Sequence, residues 1–145
     1  MGRHAAKCFE IWAGGHPGSK EAVRAPVSVA LANNCVAVGE SCGKVSLLEV
    51  QKGRIQHVFS QDVNSPLFCV TSAYGFIWSG HKDKLIRQWN VTTGELYRTM
   101  KGHRGPVISF CVMNGNLFSG LTQSDSETFL ICLHYHHHHH HRLTF

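Results

Sequence analysis

The residue types that could do chemistry in this chain are histidine, cysteine and the acidic residues. Of its 145 residues, 12 are His, six are Cys, and Asp and Glu together number nine. A Ser-His-Asp arrangement, a pair of catalytic carboxylates or a glycine-rich phosphate loop would predict a catalytic or nucleotide site, but none occurs at a usable spacing. His103 and Asp83 have the side-chain types of catalytic residues, but neither belongs to such an arrangement. We therefore expect no catalytic residues, no enzyme activity and no cofactor.

The cysteines do not predict a metal centre or a disulfide framework. No two of them form a C-x-x-C pair, the spacing that zinc sites commonly use. Cys35, Cys69, Cys111 and Cys132 lie inside apolar runs, where a free thiol acts as a small hydrophobic side chain. Free thiols are typical of a reducing compartment. We expect no bound metal and a location in the cytoplasm or the nucleus.

The most distinctive local feature is a run of six consecutive histidines, His136–His141. Imidazole binds nickel, so the run could be a purification tag, although Arg142–Phe145 follow it whereas a tag usually ends the chain. A natural low-complexity tail, or the novel end of an alternative transcript, explains the run as well. All three interpretations stay open. Under any of them, we expect residues 134–145 to be mobile, exposed and dispensable.

Composition favours a folded domain without a membrane span. The apolar fraction is 43% and the charged fraction is 16%, as in globular proteins. No run of about 18 apolar residues is present, so no transmembrane helix is predicted. A net charge of +5 is small and scattered, so nucleic acid is not indicated as a partner.

The elements that would position these side chains recur along the chain. Two sets of residues return at intervals of 40 or 41: the prolines Pro26, Pro66 and Pro106, and the glycines Gly39, Gly80 and Gly120. Runs of β-branched and aromatic residues follow each proline, separated by turn signals such as Asn114-Gly115. Such a period predicts repeats of one supersecondary unit. Because helical periodicity is absent, we expect each complete unit to be a four-stranded antiparallel meander.

The repeat divides the chain into five segments. We expect an N-terminal segment at 1–25, a first unit at 26–65, a second at 66–105, a degenerate third at 106–133 and a His-rich tail at 134–145. The N-terminal segment could be the remnant of a preceding unit. In the third unit we expect no fourth strand after the apolar run that ends at Leu133.

The second unit carries the residues that resemble a known family. Ser79-Gly80-His81-Lys82-Asp83 is similar to a strand end and turn, Trp89-Asn90 stands where the family has Trp-Asp, and Gly102-His103 resembles its Gly-His dipeptide. On these residues, the stretch from 26 to 133 resembles the WD-repeat β-propeller family. The resemblance implies an all-β fold, namely an incomplete β-propeller of antiparallel four-stranded blades. It also implies a non-catalytic scaffold for protein–protein interaction.

The family braces each blade with hydrogen bonds among His, Ser or Thr, Asp and Trp. The structural brace that the resemblance implies here consists of Ser79, Asp83, Trp89, His103 and Ser119. No unit holds a complete set. In the second unit, Asp62 stands where the family has the His.

By the same resemblance, the loops before the first strand and between the second and third strands lie on one face. The partner-binding residues that these loops offer are Arg24, Ser41, Asn64, Lys82 and Arg104. We expect His81 and Lys82 to form a solvated turn on this face.

The number of units leaves the architecture open. Closed propellers have about 4–8 blades, so the repeat predicts an array with two uncovered faces and unpaired edges. The expected partners are other proteins, among them further WD blades or a second copy that covers the open edges, and no membrane. The leading function is a scaffold or adaptor from a larger propeller. Two alternatives stay open: the targeting or regulatory portion of a multidomain enzyme, and a truncated product with no independent activity.

Overall fold

The computed structural model describes residues 26–59, 63–122, 128–134 and 142–143. Every regular element within these ranges is a β-strand, which confirms the predicted all-β fold. The strands are β1 (Pro26–Ala32), β2 (Cys35–Glu40), β3 (Val45–Glu49), β4 (Arg54–Phe59), β5 (Leu67–Ala73), β6 (Phe76–His81), β7 (Ile86–Asn90), β8 (Leu96–Met100), β9 (Val107–Met113), β10 (Asn116–Thr122), β11 (Thr128–His134) and β12 (Arg142–Leu143).

The strands form antiparallel four-stranded meanders. In chain order, β1–β4 make the first sheet, β5–β8 the second and β9–β12 the third. The hairpin turns at Tyr74-Gly75 and Asn114-Gly115 place both residues at positive φ, between 49° and 78°. Turns of this kind match the twist of the flanking strands, so these dipeptides set the register of the first two strands in their sheets.

The third sheet corrects one expectation. Arg142–Leu143 pair with His134 and Leu133, so a short fourth strand does follow β11, and the prediction of no fourth strand is wrong. The open edge of β11 offers unpaired backbone groups, and pairing with them requires no apolar side-chain pattern that a sequence would reveal. The N-terminal segment 1–25 and the rest of the predicted tail lie outside the described residues.

Neighbouring sheets pack face to face, and β5 lies between β1 and β9. We call the face that a sheet turns toward the preceding sheet its front face, and the opposite one its back face. Between the first two sheets, Ala37 and Leu47 pack in one buried cluster with Leu67 and Trp89. The second and third sheets meet in another cluster, which holds Trp78, Ile86, Val107 and Leu117. The second sheet is therefore covered on both faces.

Candidate functional site

A buried hydrogen-bond cluster closes the end of β6. The Ser79 hydroxyl oxygen accepts a hydrogen bond from Nε1 of Trp89 at 2.8 Å and lies 2.8 Å from Nε2 of His81. Nδ1 of His81 lies 3.2 Å from the carbonyl oxygen of Ser65. Because a carbonyl can only accept, Nδ1 carries the proton and Nε2 accepts from the Ser79 hydroxyl. All three cluster side chains, on Ser79, His81 and Trp89, are 0% exposed.

The protonation of His81 agrees with this arrangement. Burial lowers the pKa of His81 to about 4, against the weaker opposing effect of the Ser65 carbonyl. The ring is therefore neutral at neutral pH, which is the form that donates from one nitrogen and accepts at the other.

The burial of His81 overturns the expectation of a solvated turn. Its ring fills the role of the brace histidine that the second unit was expected to lack, and it reaches Ser79 from the end of the same strand. Ser79 and His81 are two residues apart on β6, so they share one face of the sheet. The two-residue spacing of Ser79 and His81, together with Trp89 on the neighbouring strand, is the sequence signal from which this cluster could have been predicted. Asp62 lies outside the described residues.

Asp83 lies in the β6–β7 turn, outside this cluster. Its carboxylate pairs with the Arg87 guanidinium at 2.7 Å and accepts the N–H of Leu85 at 3.1 Å. Its own N–H donates to the Ser65 hydroxyl at 2.9 Å. Partial burial raises the pKa of Asp83, but the hydrogen bonds from Arg87 and Leu85 outweigh it and leave the pKa below its ordinary value. Asp83 thus organises the turn as an ionised carboxylate.

A smaller pair occupies the corresponding place in the third sheet. Nε2 of His103 lies 2.8 Å from the Ser119 hydroxyl. Ser119 is buried and His103 is half-buried, and burial lowers the histidine pKa. Among the described residues, Nδ1 of His103 has no hydrogen-bond partner.

An open cleft of about 460 Å³ lies where the loop before β5 meets the β6–β7 turn. It is lined by Asn64, Ser65, Pro66, Lys82, Asp83 and Arg87. Of the predicted partner-binding residues, it brings together Asn64 and Lys82, both of which are exposed. The Lys82 N–H donates to the Pro66 carbonyl at 2.9 Å, which ties the loop to the turn.

The other predicted partner-binding residues lie apart from this cleft. Ser41 is half-buried in the β2–β3 turn, and Arg104 is exposed in the loop before β9. Each sits at the corner of its own sheet where the first strand begins and the second ends, as the pairing of Pro26 with Glu40 and of Val107 with Leu121 shows. Arg24 lies outside the described residues.

The described residues contain no group of three His, Cys, Asp or Glu side chains that lies closely enough together to hold a metal ion. They also contain no helix with the length and apolarity needed to cross a membrane.

Comparisons with known proteins bear on the fold. No family model matches the chain. A stretch of 56 residues, 37% of the chain, is 32% identical to kinesin-like protein KIF21B of Homo sapiens and of Mus musculus, and covers 3% of those proteins. The chain therefore spans a small fraction of the curated relatives it matches.

Solved structures match over most of the chain. The computationally designed Ika4 protein aligns with a TM-score of 0.65 at 18% identity, covering 83% of this chain and 77% of that one. The RRP9 WD40 repeats align with a TM-score of 0.62 at 15% identity, covering 79% and 46%. A chain of the mitotic checkpoint complex gives 0.58 at 18% identity, covering 74% and 38%. The fold is therefore an incomplete, WD40-like β-propeller.

Proposed function

We propose that this chain is a non-catalytic scaffold for protein–protein interaction and forms part of a larger propeller. The observation that carries the proposal is the cleft at the start of β5, where exposed polar side chains lie directly above a buried, hydrogen-bonded cluster. Ser65 belongs to both, because its carbonyl faces His81 and its hydroxyl binds the turn. A surface held in this way needs little ordering when a partner binds, which favours affinity.

The charges around the cleft indicate what kind of segment it suits. Arg87 is neutralised by Asp83 at 2.7 Å, whereas exposed Lys82 forms no ion pair with any described residue. Exposed Arg104 adds a positive charge at the corresponding corner of the third sheet. This face is therefore suited to a partner segment that carries acidic side chains.

A pull-down with the double variant Lys82→Glu and Arg104→Glu tests the assignment. We expect it to lose partners that the unmodified chain captures. The control is Lys52→Glu with Arg54→Glu, which makes the same charge change beside the β3–β4 turn, at the opposite end of the first sheet. Because both side chains pair with Glu49, at 2.7 and 3.1 Å, thermal melting must first show that this control is folded. If the cleft variant retains every partner, the site assignment is wrong.

A second candidate is the targeting or regulatory portion of a multidomain enzyme. It is favoured by the match to kinesin-like protein, where the similar segment covers 3% of a much longer chain. Reading the gene on either side of this coding segment tests the idea. An intact catalytic domain in frame supports it, and stop codons on both sides contradict it.

A truncated product without independent activity is the remaining alternative. A cooperative unfolding transition of the purified chain would contradict that alternative, because a scaffold must fold. We also place the protein in the cytoplasm or the nucleus. Cys35, Cys42, Cys69 and Cys111 are free thiols, and burial raises the pKa of Cys69 to about 12, which leaves its thiol unreactive.

A further inference from the structure

The front face of the first sheet, which points away from the second sheet, is buried along its two central strands. On β2, Val38 and Glu40 are 8% and 4% exposed, and on β3, Ser46 and Leu48 are 2% and 7% exposed. Residues next to them in the chain pack in the cluster on the opposite face. Because side chains of neighbouring strands stand side by side and do not cover one another from above, another part of the protein lies on this face.

No described element accounts for this burial. Val38 and Leu48 belong to neither of the two clusters that fill the junctions between the described sheets. The first sheet packs on the second sheet through its back face, and the third sheet lies beyond the second. The residues that cover the front face therefore lie outside the described ranges.

Residues 1–25 are the part of the chain that joins the fold at this face. They lead into β1 at Pro26, which pairs with the buried Glu40 of the same sheet. The stretch 60–62 leads instead to Val63, which packs against the cluster on the back face. The other stretches outside the described ranges adjoin strands of the third sheet. Chain continuity therefore favours residues 1–25 as the cover.

The width of the covered strip indicates what kind of structure covers it. On the same face, Val29 of β1 is 66% exposed and Val58 of β4 is 49% exposed, whereas the strands between them are buried. In the second sheet, where a whole sheet packs on the front face, Val70 is the equivalent of Val29 by register and is 7% exposed. Neighbouring strands lie about 4.8 Å apart, so a cover that reaches the two central strands alone is a single extended segment, narrower than a blade.

One stretch within residues 1–25 has the composition for this role. In Cys8-Phe9-Glu10-Ile11-Trp12, four of the five side chains are apolar. As an extended strand this stretch would be about 16 Å long, which matches β3, also of five residues. Residues 13–25, which link it to β1, can span up to about 40 Å, so the chain has the length to turn back over the sheet.

We propose that residues 8–12 form a cap that lies on the front face of the first sheet, over β2 and β3. Burial of apolar side chains from both sides drives the contact. The cap takes the place that a preceding blade would occupy, so the cap and such a blade exclude each other on these strands. None of the residues that line the cleft belongs to the cap or to the face beneath it. Partner capture through Lys82 can therefore fail while the cap holds, and the reverse.

Thiol labelling of the full chain tests whether the cap covers this face. Ser46→Cys places a thiol where the side chain is 2% exposed, and Val29→Cys places one where it is 66% exposed on the same face. Mass spectrometry distinguishes each new thiol from the native ones. We expect Ser46→Cys to react more slowly than Val29→Cys by about tenfold or more, because a buried thiol reacts only when its cover opens.

Phe9→Lys with Ile11→Lys should release the cap, because burying a charged side chain without a partner is costly. In this background the labelling rate of Ser46→Cys should rise toward that of an exposed thiol. Native Cys69, 7% exposed at the junction of the second and third sheets, should stay slow and so report an intact fold. An unchanged rate at Ser46→Cys overturns the proposal. If Cys69 accelerates as well, the variant has unfolded, and photo-cross-linking decides.

The matched control for the released cap is Gly15→Lys with Gly18→Lys. It adds the same two positive charges to residues 1–25, but within the link between the cap and β1. We expect the labelling rate of Ser46→Cys to stay slow in this control. A rise equal to that in the cap variant would mean that charge alone, and not the apolar stretch 8–12, opens the face, which also overturns the proposal.

Photo-cross-linking from the cap tests the contact without removing it. Benzoyl-phenylalanine in place of Phe9 keeps an aromatic side chain there and joins it to its neighbours under ultraviolet light. We expect cross-links to β2 or β3 of the same chain. Cross-links to other elements, or none, overturn the proposal. In a mixture of ordinary and isotope-labelled chains, cross-links between two chains would show that a second copy supplies the cover, which overturns it as well.

Discussion

At the scale of single residues, the hydroxyl of Ser79 holds the buried cluster of the second sheet together. Ser79→Ala would leave Nε1 of Trp89 and Nε2 of His81 without their partner in a fully buried place. Since an unsatisfied buried polar group costs about 1–3 kcal/mol, we expect a loss of about 2–4 kcal/mol in the free energy of unfolding. Denaturant titration measures it.

The third sheet provides the comparison for that loss. Ser119→Ala removes one partner from a half-buried histidine, so it should cost only about 1 kcal/mol. Equal losses for the two serines would mean that the cluster around Ser79 has no special role.

His81 predicts a pH dependence of stability. Its pKa of about 4 in the folded chain lies below the ordinary value of 6.5, so as pH falls the unfolded chain takes up the proton first. The stabilisation is complete above pH 6.5 and is lost as pH falls from there to about 4, by on the order of 3 kcal/mol. Thermal melting across this range should show a much smaller loss for His81→Gln. A variant with the full dependence would contradict the assignment.

At the scale of elements, the second sheet should be the most stable, because described sheets pack on both of its faces. Trp89 is its largest contribution to the junction with the first sheet, with its ring centroid 5.8 Å from that of Phe59. We expect Trp89→Ala to cost about 3–5 kcal/mol. Tyr97→Ala, on the outermost strand with 58% exposure, should cost less than about 1 kcal/mol. A loss from Trp12→Ala as large as that from Trp89→Ala would mean that the core lies elsewhere.

How far the sequence predicts an element depends on whether its signal is local. Runs of β-branched and aromatic residues and turn dipeptides such as Asn114-Gly115 predicted the strands, because strand and turn preferences lie in neighbouring residues. The partner of Ser79 was missed, because family position pointed to Asp62 and the burial of His81 depends on the loop at Ser65. β12 was missed because backbone pairing between strands leaves no pattern of side chains in the sequence. Two of the predicted partner-binding residues, Asn64 and Lys82, line the cleft, because the repeat gives the position of a loop in the fold. The shape of the cleft depends on contacts between loops and cannot be read from the repeat.

At the scale of the whole molecule, the second sheet shows what a complete blade looks like, because described sheets pack on both of its faces. In a propeller each blade stabilises its neighbours, so a substitution in one junction should weaken both of the sheets that form it.

The pull-down with Lys82→Glu and Arg104→Glu tests the central claim, a protein-binding face at the cleft, most directly. We predict that the double variant stays folded and loses partners that the unmodified chain captures, because it reverses the two exposed positive charges of that face. A folded double variant that retains every partner would contradict the account.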